Sequence, residues 1–250
     1  MTTGPDGLVA LLDEFAGRAA VDRESAVYLR THVPRYRFLL AEVERILAGA
    51  ASPRILDVGP SWEAEAMRRL WPRAVVNTLG FYDERFPPLA GERHVELDLN
   101  DVQHRDRWPE PAEHDLVVVA EVLEHLYTAP QLVLRCLSTF LRPGGTMLLQ
   151  TPNAAALVKR VKLLLGRNPY EPLRLVRDHP GHFREYTGDE LLAVGREAGL
   201  EPVRWTARSY FTHGSRKQRL VGAMGPVLPP RLRDGLTVSF RLARGPREPG

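Results

Sequence analysis

Two stretches of the sequence hold residue types that can move a proton or bind a metal ion. In "EVLEHL", the spacing of Glu121, Glu124 and His125 would put all three on one face of a helix. A second histidine, His182, lies in "GHFREYT", and His179 is a nearby alternative. Imidazole is the usual base near neutral pH, and carboxylates with imidazole suit a divalent ion. These stretches therefore offer either a histidine base or a metal site.

A second set of polar residues follows short apolar runs. Asp57-Val58-Gly59 ends the first run, Asp98-Leu99-Asn100 follows the third, and Glu121 follows the fourth. In an open parallel sheet such positions meet beyond the carboxyl ends of the strands, where ligands bind. Gly59 would let a ligand approach the backbone, and Asp98 could accept a hydrogen bond from an adenine amino group. The alternative is that Asp57 and Asp98 cap turns or helices.

Helices and strands must position these residues, and the spacing of apolar residues along the chain predicts both. Residues 8–49 have helical spacing, and Pro34 is expected to begin the second long helix. Strands are expected at 54–58, 74–79, 94–97, 115–120, 146–150, 203–207 and 236–242, with helices at 64–70, 131–141 and 189–198. "LRPGGT" is expected to end a helix and turn the chain tightly. The alternation predicts an α/β, doubly wound, mostly parallel sheet.

An insertion at 154–181 interrupts this alternation and is expected to be a lid or substrate segment. Its helical part, "VKRVKLLLG", is basic and amphipathic. Such a helix can lie on an anionic membrane, although a lid packed on its own domain is the alternative.

Five motifs together resemble the class I S-adenosylmethionine-dependent methyltransferases: "ILDVG", "VELDLND", "HDLVVVAEVLEHL", "FLRPGGTMLLQTPN" and "HFREYTGDELLAVGREAGLEPV". The resemblance covers about residues 50–205 and the last strand. It implies a Rossmann-like, seven-stranded sheet whose last strand is antiparallel. A helical cap at 1–50 would precede a methyltransferase domain at 51–250, which contains the 154–181 insertion and a disordered basic tail at 244–250.

The resemblance also implies the reaction and its residues. S-adenosylmethionine would give its methyl group to a small-molecule acceptor, most simply a hydroxyl of a sugar or secondary metabolite, with His182 or His125 as the base. The cofactor-binding residues would be Asp57, Gly59, Pro60, Ser61, Asp83, Asp98, Leu99, Asn100 and Glu121. Ser61 and Glu63 would offer a hydroxyl and a carboxylate to the amino-acid end of the cofactor.

This sequence departs from the family pattern at two places. The loop after the first strand keeps only Gly59 of the usual glycines, and Leu79 and Gly80 stand where the second strand usually ends in an acid that holds the ribose. Asp83, slightly later, is the candidate for that role. These departures leave a second hypothesis open, a non-catalytic scaffold that keeps the fold.

A third hypothesis concerns a metal. "E-x-x-E-H" with a later histidine resembles the metal-dependent 2′-O-methyltransferases of small-RNA 3′ ends and the ubiquinone-pathway O-methyltransferases. On that likeness Mg²⁺ or another divalent ion would bind Glu121, Glu124, His125 and His182.

The composition limits the expected location and binding partners of the protein. The chain has 250 residues, a formal charge of +3 and one cysteine, so neither an internal disulfide nor a cysteine metal cage is expected, and a reducing cytoplasm is the expected location. No secretory signal or membrane-length apolar run is visible. Basic side chains in the N-terminal helices and the insertion suit an acidic or sugar-bearing acceptor. Nucleic acid is not expected, because no RNA-binding signature is present. G-x-G-x-x-G is absent, which argues against a nicotinamide dehydrogenase.

Overall fold

The computed structural model describes residues 10, 11, 13–15, 17, 23–170, 172–175, 181–210 and 227–243. His179 and the tail at 244–250, both named in the sequence analysis, lie outside these residues. No helix within the described ranges combines the length and the apolar character needed to cross a bilayer.

Seven strands form one sheet in the order β3-β2-β1-β4-β5-β7-β6. Strands β1 to β5 pair in parallel, and β7 runs antiparallel to both β5 and β6. The predicted α/β fold with an antiparallel last strand is therefore confirmed. The strands are β1 Arg54–Val58, β2 Val75–Gly80, β3 His94–Glu96, β4 His114–Ala120, β5 Leu141–Pro152, β6 Leu200–Arg208 and β7 Gly235–Leu242.

Five helices have bounds within the described residues, and residues 10, 11, 13–15 and 17 are helical as well. The five are α1 Arg23–Ile46, α2 Trp62–Leu70, α3 Pro130–Ser138, α4 Leu157–Leu164 and α5 Gly188–Glu197. Short 3₁₀ turns lie at Leu99–Gln103, Arg105–Arg107, Leu123–His125 and Pro230–Leu232.

Alternating side chains of the central strands build a core on each face of the sheet. Leu116 and Val118 of β4 pack on one face with α1 and α2, while Val117 and Val119 pack on the other with α3 and α5. All four are fully buried. Both faces are covered because every parallel connection must cross over the sheet, so these strands are apolar throughout.

Helix α1 corrects the expectation that Pro34 begins a new helix, since Pro34 lies inside one continuous helix. A proline inside a helix removes a single backbone donor. Here the helix is held on both sides of it, because Leu29, Leu39 and Val43 are all buried in the core against the sheet. The described part of the predicted cap therefore shares one core with the sheet.

The "LRPGGT" stretch also differs from expectation. Helix α3 ends at Ser138 and β5 already begins at Leu141, so the stretch is strand rather than turn. Leu141 pairs with His114, and the register then shifts before Thr146 pairs with Leu116. The pairing with β4 continues across this irregularity, which a helical or turn pattern in the sequence does not reveal.

Candidate functional site

The loop after β1 runs from Gly59 into the N-terminus of α2. Gly59 has a φ of 80°, and its N–H donates to the carbonyl of Leu79 at 2.8 Å. The positive φ favours glycine, and the space is tight as well, because a Cβ at this position would lie 3.1 Å from Cγ2 of Val122. The one glycine kept from the family pattern is thus the one that this turn needs.

Ser61 and Glu63 are used within the loop itself. Ser61 caps α2 by accepting from the N–H of Glu63, and its hydroxyl contacts the Glu63 carboxylate. Glu63 is 4% exposed and pairs with the guanidinium of Arg35 at 2.7 Å. The carboxylate expected to reach the amino-acid end of a cofactor therefore already has a protein cation beside it.

Arg35 connects α1 to the end of β5. Its Nη1 donates to Oε1 of Gln150 at 3.3 Å, and its guanidinium lies 4.4 Å from the ring centroid of Tyr36. Gln150 in turn donates to the hydroxyls of Tyr210 at 3.3 Å and Thr237 at 3.1 Å. A buried polar network thus joins the N-terminal helix, β5 and β7 beside the loop.

Two further acids near this network are held in a low-dielectric setting. Burial, together with the charge of Glu63, raises the pKa of Asp57 well above its ordinary range. Burial also raises the pKa of Glu121, although the charge of Arg35 opposes the shift. Oδ2 of Asp57 is buried and has no hydrogen-bond partner among the described residues. The site is therefore rich in acids that a cationic ligand would stabilise in their charged form.

The ends of β2 and β3 carry the other predicted cofactor residues. Asp83 accepts from Arg85, whose hydrogen bonds lower the pKa of Asp83. Asp98 caps the turn at Leu99–Gln103, accepting from the N–H of Asn100 at 2.9 Å. The capping geometry considered for Asp98 is therefore present. Oδ1 of Asn100 accepts from the N–H of Tyr127 at 2.9 Å, which ties this turn to the loop after β4.

The segment after β4 is not the α-helix that the spacing of its acids suggested. Glu121 has a φ of 56°, and a 3₁₀ turn follows at Leu123–His125. This left-handed residue redirects the chain, so the i, i+3, i+4 argument for one helical face does not hold. Glu124 is fully buried, and its Oε2 accepts from the hydroxyl of Thr151 at 2.8 Å.

Glu124, His125 and His182 nevertheless come together. One possible ligand atom from each of the three lies within 4.8 Å of the other two. Glu121, which was predicted as a fourth ligand, is not part of this group. The rings of His125 and His182 meet edge to face at 4.8 Å. Nδ1 of His125 lies 2.9 Å from the carbonyl of Gly181, and Nδ1 of His182 lies 3.1 Å from Oε1 of Glu185. In both rings Nδ1 faces an acceptor, so Nε2 is the nitrogen suited to a ligand or a proton.

Lys159 and Glu185 also lie next to the two histidines, although neither was predicted as a site residue. Lys159 of α4 forms an ion pair with Glu185 and donates to the carbonyl of Asn153 at 3.1 Å. Burial lowers the pKa of Lys159 to about 8. Burial also raises the pKa of Glu124 well above its ordinary range, and the charge of Glu121 adds to that effect.

Arg35 and Lys159 were missed as site residues because neither lies in one of the five motifs, and Glu185 lies in "HFREYT" but was given no role there. Arg35 and Lys159 were seen only as members of basic helical stretches. The signal that could have singled out Arg35 is its place on the apolar stripe of α1, four residues before Leu39. A charge on such a stripe is rarely buried without a partner.

Comparisons with known proteins identify the family to which the chain belongs. Residues 29–204 match the profile of a family described as "Methyltransferase domain". A protein of Mycolicibacterium smegmatis, named as a probable S-adenosylmethionine-dependent methyltransferase, is 32% identical over 120 residues. The match covers 48% of this chain and 41% of that protein, so the chain spans about two fifths of this relative.

Solved structures share the fold. A 1,6-didemethyltoxoflavin-N1-methyltransferase from Burkholderia thailandensis, solved with 1,6-didemethyltoxoflavin and S-adenosylhomocysteine bound, superposes with a TM-score of 0.53 at 17% identity, over 96% of this chain and 91% of that one. An Archaeoglobus fulgidus S-adenosylmethionine-dependent methyltransferase gives 0.51 at 13% identity, over 82% and 94%. The [4+2]-cyclase SpnF gives 0.56 at 15% identity, over 84% and 81%. At these identities the likeness shows the fold alone.

Proposed function

Because the chain belongs to the methyltransferase-domain family, we propose that it moves the methyl group of S-adenosylmethionine to a hydroxyl of a small-molecule acceptor, with His182 as the base. The observation that carries the proposal is the His182–Glu185 pair beside the buried acids at the carboxyl edge of the sheet. A sugar or secondary-metabolite hydroxyl as the acceptor, acidic groups on it, and a cytoplasmic location stay predictions of the sequence.

The loop after β1 and the end of β4 fit the cofactor. When bound, S-adenosylmethionine supplies a methyl group on a positively charged sulfonium. Asp57 offers a buried carboxylate to such a cation and Glu121 a half-buried one, and Oδ2 of Asp57 has no hydrogen-bond partner within the described chain. Arg35 is the charge suited to the cofactor's carboxylate, because its guanidinium lies beside the same loop through its pair with Glu63.

His182 is suited to remove a proton from the acceptor hydroxyl. The Glu185 carboxylate faces Nδ1 and favours the tautomer that carries the proton there, which leaves Nε2 as the acceptor. The partly buried Lys159 pairs with the same carboxylate and so fixes its position. Positioning of the two reactants would supply much of the remaining acceleration.

The test pairs binding with turnover. Calorimetric titration with S-adenosylhomocysteine should show binding, and a panel of hydroxyl-bearing acceptors should reveal methyl transfer. His182→Ala should lower kcat by about 10²–10⁴-fold, the usual contribution of a general base, while keeping S-adenosylhomocysteine affinity. His104→Ala is the control, since this exposed histidine only follows a 3₁₀ turn.

Three outcomes would redirect the proposal. An unchanged rate in His182→Ala would show that His182 is not the base. Binding of S-adenosylhomocysteine without turnover on any acceptor would support the hypothesis of a non-catalytic scaffold. No binding at all removes the proposed function.

A second candidate, metal-assisted transfer to a hydroxyl, is favoured by the group of Glu124, His125 and His182. The group fits a divalent ion in two respects. Oε1 of Glu124 is buried and has no hydrogen-bond partner among the described residues, and Nδ1 of each histidine faces an oxygen acceptor, an arrangement common around metal-binding histidines. These three residues would hold the ion, which would supply Lewis acidity to the acceptor oxygen. Glu121 lies outside the group and is not needed for this version.

Metal titration separates the two candidates. Calorimetry of the EDTA-treated protein with Mg²⁺, Mn²⁺ or Zn²⁺ should show binding in the wild type and not in Glu124→Gln, independently of any activity. Glu96→Gln is the control, because Glu96 is an exposed acid on β3. Full methyl transfer in EDTA would show that no metal ion is needed, and it would favour His182 as the base.

A further inference from the structure

The insertion presents an apolar surface that the proposed chemistry does not use. Helix α4 has no buried residue, although its apolar side chains recur on one side. Leu164 is 87% exposed, Leu165 is 67% exposed and Leu175 is fully exposed. We call this the lid surface and define it by its exposed apolar residues: Val158, Val161, Leu163, Leu164, Leu165, Leu173 and Leu175.

The lid surface is unusual within this molecule. Elsewhere in the described chain, large exposed aliphatic side chains are separated in sequence, as with Leu89, Val203 and Val227. Scattered apolar residues are normal on a soluble protein, whereas a contiguous group indicates an interaction site.

The charged residues of α4 and of the three residues after it all carry the same sign, and Glu171 lies further along, before Leu173. Residues 157–167 contain four cations, Lys159, Arg160, Lys162 and Arg167, and no aspartate or glutamate. Lys159 is turned toward the site by its ion pair with Glu185, while Arg160, Lys162 and Arg167 are exposed. Among the described residues, Arg160 donates to the carbonyl of Ala155 at 2.7 Å and Lys162 to that of Pro169 at 3.5 Å, and a neutral carbonyl does not cancel a cation's charge.

We propose that the lid surface docks this protein onto an anionic lipid membrane. A stretch that combines exposed leucines with cations that no described carboxylate pairs with is complementary to a lipid interface, where apolar side chains enter the acyl boundary and cations meet the headgroups. A protein partner with an acidic apolar groove would share part of this chemistry and is therefore an outcome of the test. Helix α4 has eight residues, so it would lie on the membrane and not span it.

The docking also bears on the acceptor. Lys159, on the same helix, contacts Glu185 and the backbone of Asn153, so α4 borders the His182 side of the site. Resting on the proposed function, this placement brings the site next to the lipid surface and favours an acceptor that is held in or at the membrane.

Vesicle co-sedimentation tests the proposal. The wild type should sediment with vesicles of phosphatidylcholine mixed with phosphatidylglycerol, and not with phosphatidylcholine alone. Binding should fall steeply toward about 1 M salt, where the Debye length shrinks to about 3 Å. The double variant Leu164→Asp/Leu165→Asp and the double variant Arg160→Glu/Lys162→Glu should each bind at least about tenfold more weakly, because each removes one of the two contributions.

Matched controls keep the test sharp. Leu89→Asp changes an exposed leucine and Arg73→Glu changes an exposed arginine away from the lid surface, and both should bind as the wild type does. The proposal is overturned if the wild type does not bind anionic vesicles, if it binds neutral vesicles equally, or if the controls lose binding equally. Self-association that Leu164→Asp/Leu165→Asp abolishes, without vesicle binding, would assign the surface to a second copy of the chain.

S-adenosylhomocysteine titration of the same variants separates this proposal from the proposed function. Lid-surface variants that lose vesicle binding should keep S-adenosylhomocysteine affinity, which also shows that they fold. If the wild type binds vesicles but not S-adenosylhomocysteine, the methyl-transfer proposal is wrong and the membrane-docking proposal still holds.

Discussion

The loop after β1 and helix α4 both border the candidate site, yet they are held in opposite ways. The loop is locked by a buried ion pair between Arg35 and Glu63, and its turn accepts only Gly59. Helix α4 buries none of its residues and is tied to the domain through Lys159 and a few backbone contacts. The comparison shows that the cofactor side of the site is part of the core, whereas the insertion side is available for binding something else.

Removing Arg35 should give the largest change in stability. Arg35→Met leaves the Glu63 carboxylate buried without its cation, and breaking a buried pair in this way costs about 3–5 kcal/mol of unfolding free energy. Urea denaturation measures it. The double variant Arg35→Met/Glu63→Gln should recover much of the loss, and Arg73→Met, at an exposed position, should stay within about 0.5 kcal/mol. A loss equally small at both positions would mean that the pair does not hold the loop.

Gly59→Val should abolish cofactor binding while the protein stays folded. The φ of 80° strains a branched residue, and the added atoms would press on Val122 at 3.1 Å. Strain of this kind costs about 1–3 kcal/mol. Gly91→Val is a matched control, because Gly91 has a φ of 87° with nothing within 4 Å of its Cβ position. S-adenosylhomocysteine calorimetry should distinguish them, and normal binding by Gly59→Val would show that this loop does not contact the cofactor.

Lys159 should titrate well below the usual pKa of a lysine side chain. The chain has three lysines, Lys159, Lys162 and Lys217, so side-chain NMR with Lys→Arg variants can assign each. The Lys159 signal should have a midpoint near pH 8, because burial lowers its pKa from 10.5 to about 8. A depressed lysine pKa adds stability that is full above 10.5 and is lost as the pH falls through about 8. A midpoint near 10.5 would mean that α4 does not hold Lys159 against the site.

Leu164→Ser should have the smallest effect on stability. The side chain is 87% exposed, so the change in unfolding free energy should stay within about 0.5 kcal/mol. Leu116→Ala, at a fully buried position of β4, should cost about 2–5 kcal/mol. A large loss from Leu164→Ser would show that α4 packs on the domain in solution, and it would weaken the lid surface as a docking site.

Much of the fold followed from the sequence because its signals are local. The apolar runs near Asp57, Asp98 and Glu121 predicted strands whose carboxyl ends form one edge, and the structure has a strand ending within two residues of each of them. Pro34 and "LRPGGT" were misread because packing against the sheet and pairing with β4 outweighed local propensity. Capping by Asp98 was one of the two roles that the sequence left open, and the structure has it, whereas the Ser61 cap was not expected. The cofactor-binding roles of both residues stay predictions.

The sequence by itself determined the family, the layered α/β sheet and the stretches that line its carboxyl edge, because hydrophobic period and turn chemistry are written along the chain. Only the tertiary structure decided that Arg35 lies against Glu63, that Glu121 turns left-handed, and that Glu124 and His125, without Glu121, meet the distant His182. Such contacts arise from the packing of distant segments. The energy that holds them depends on burial, which a single sequence position does not reveal.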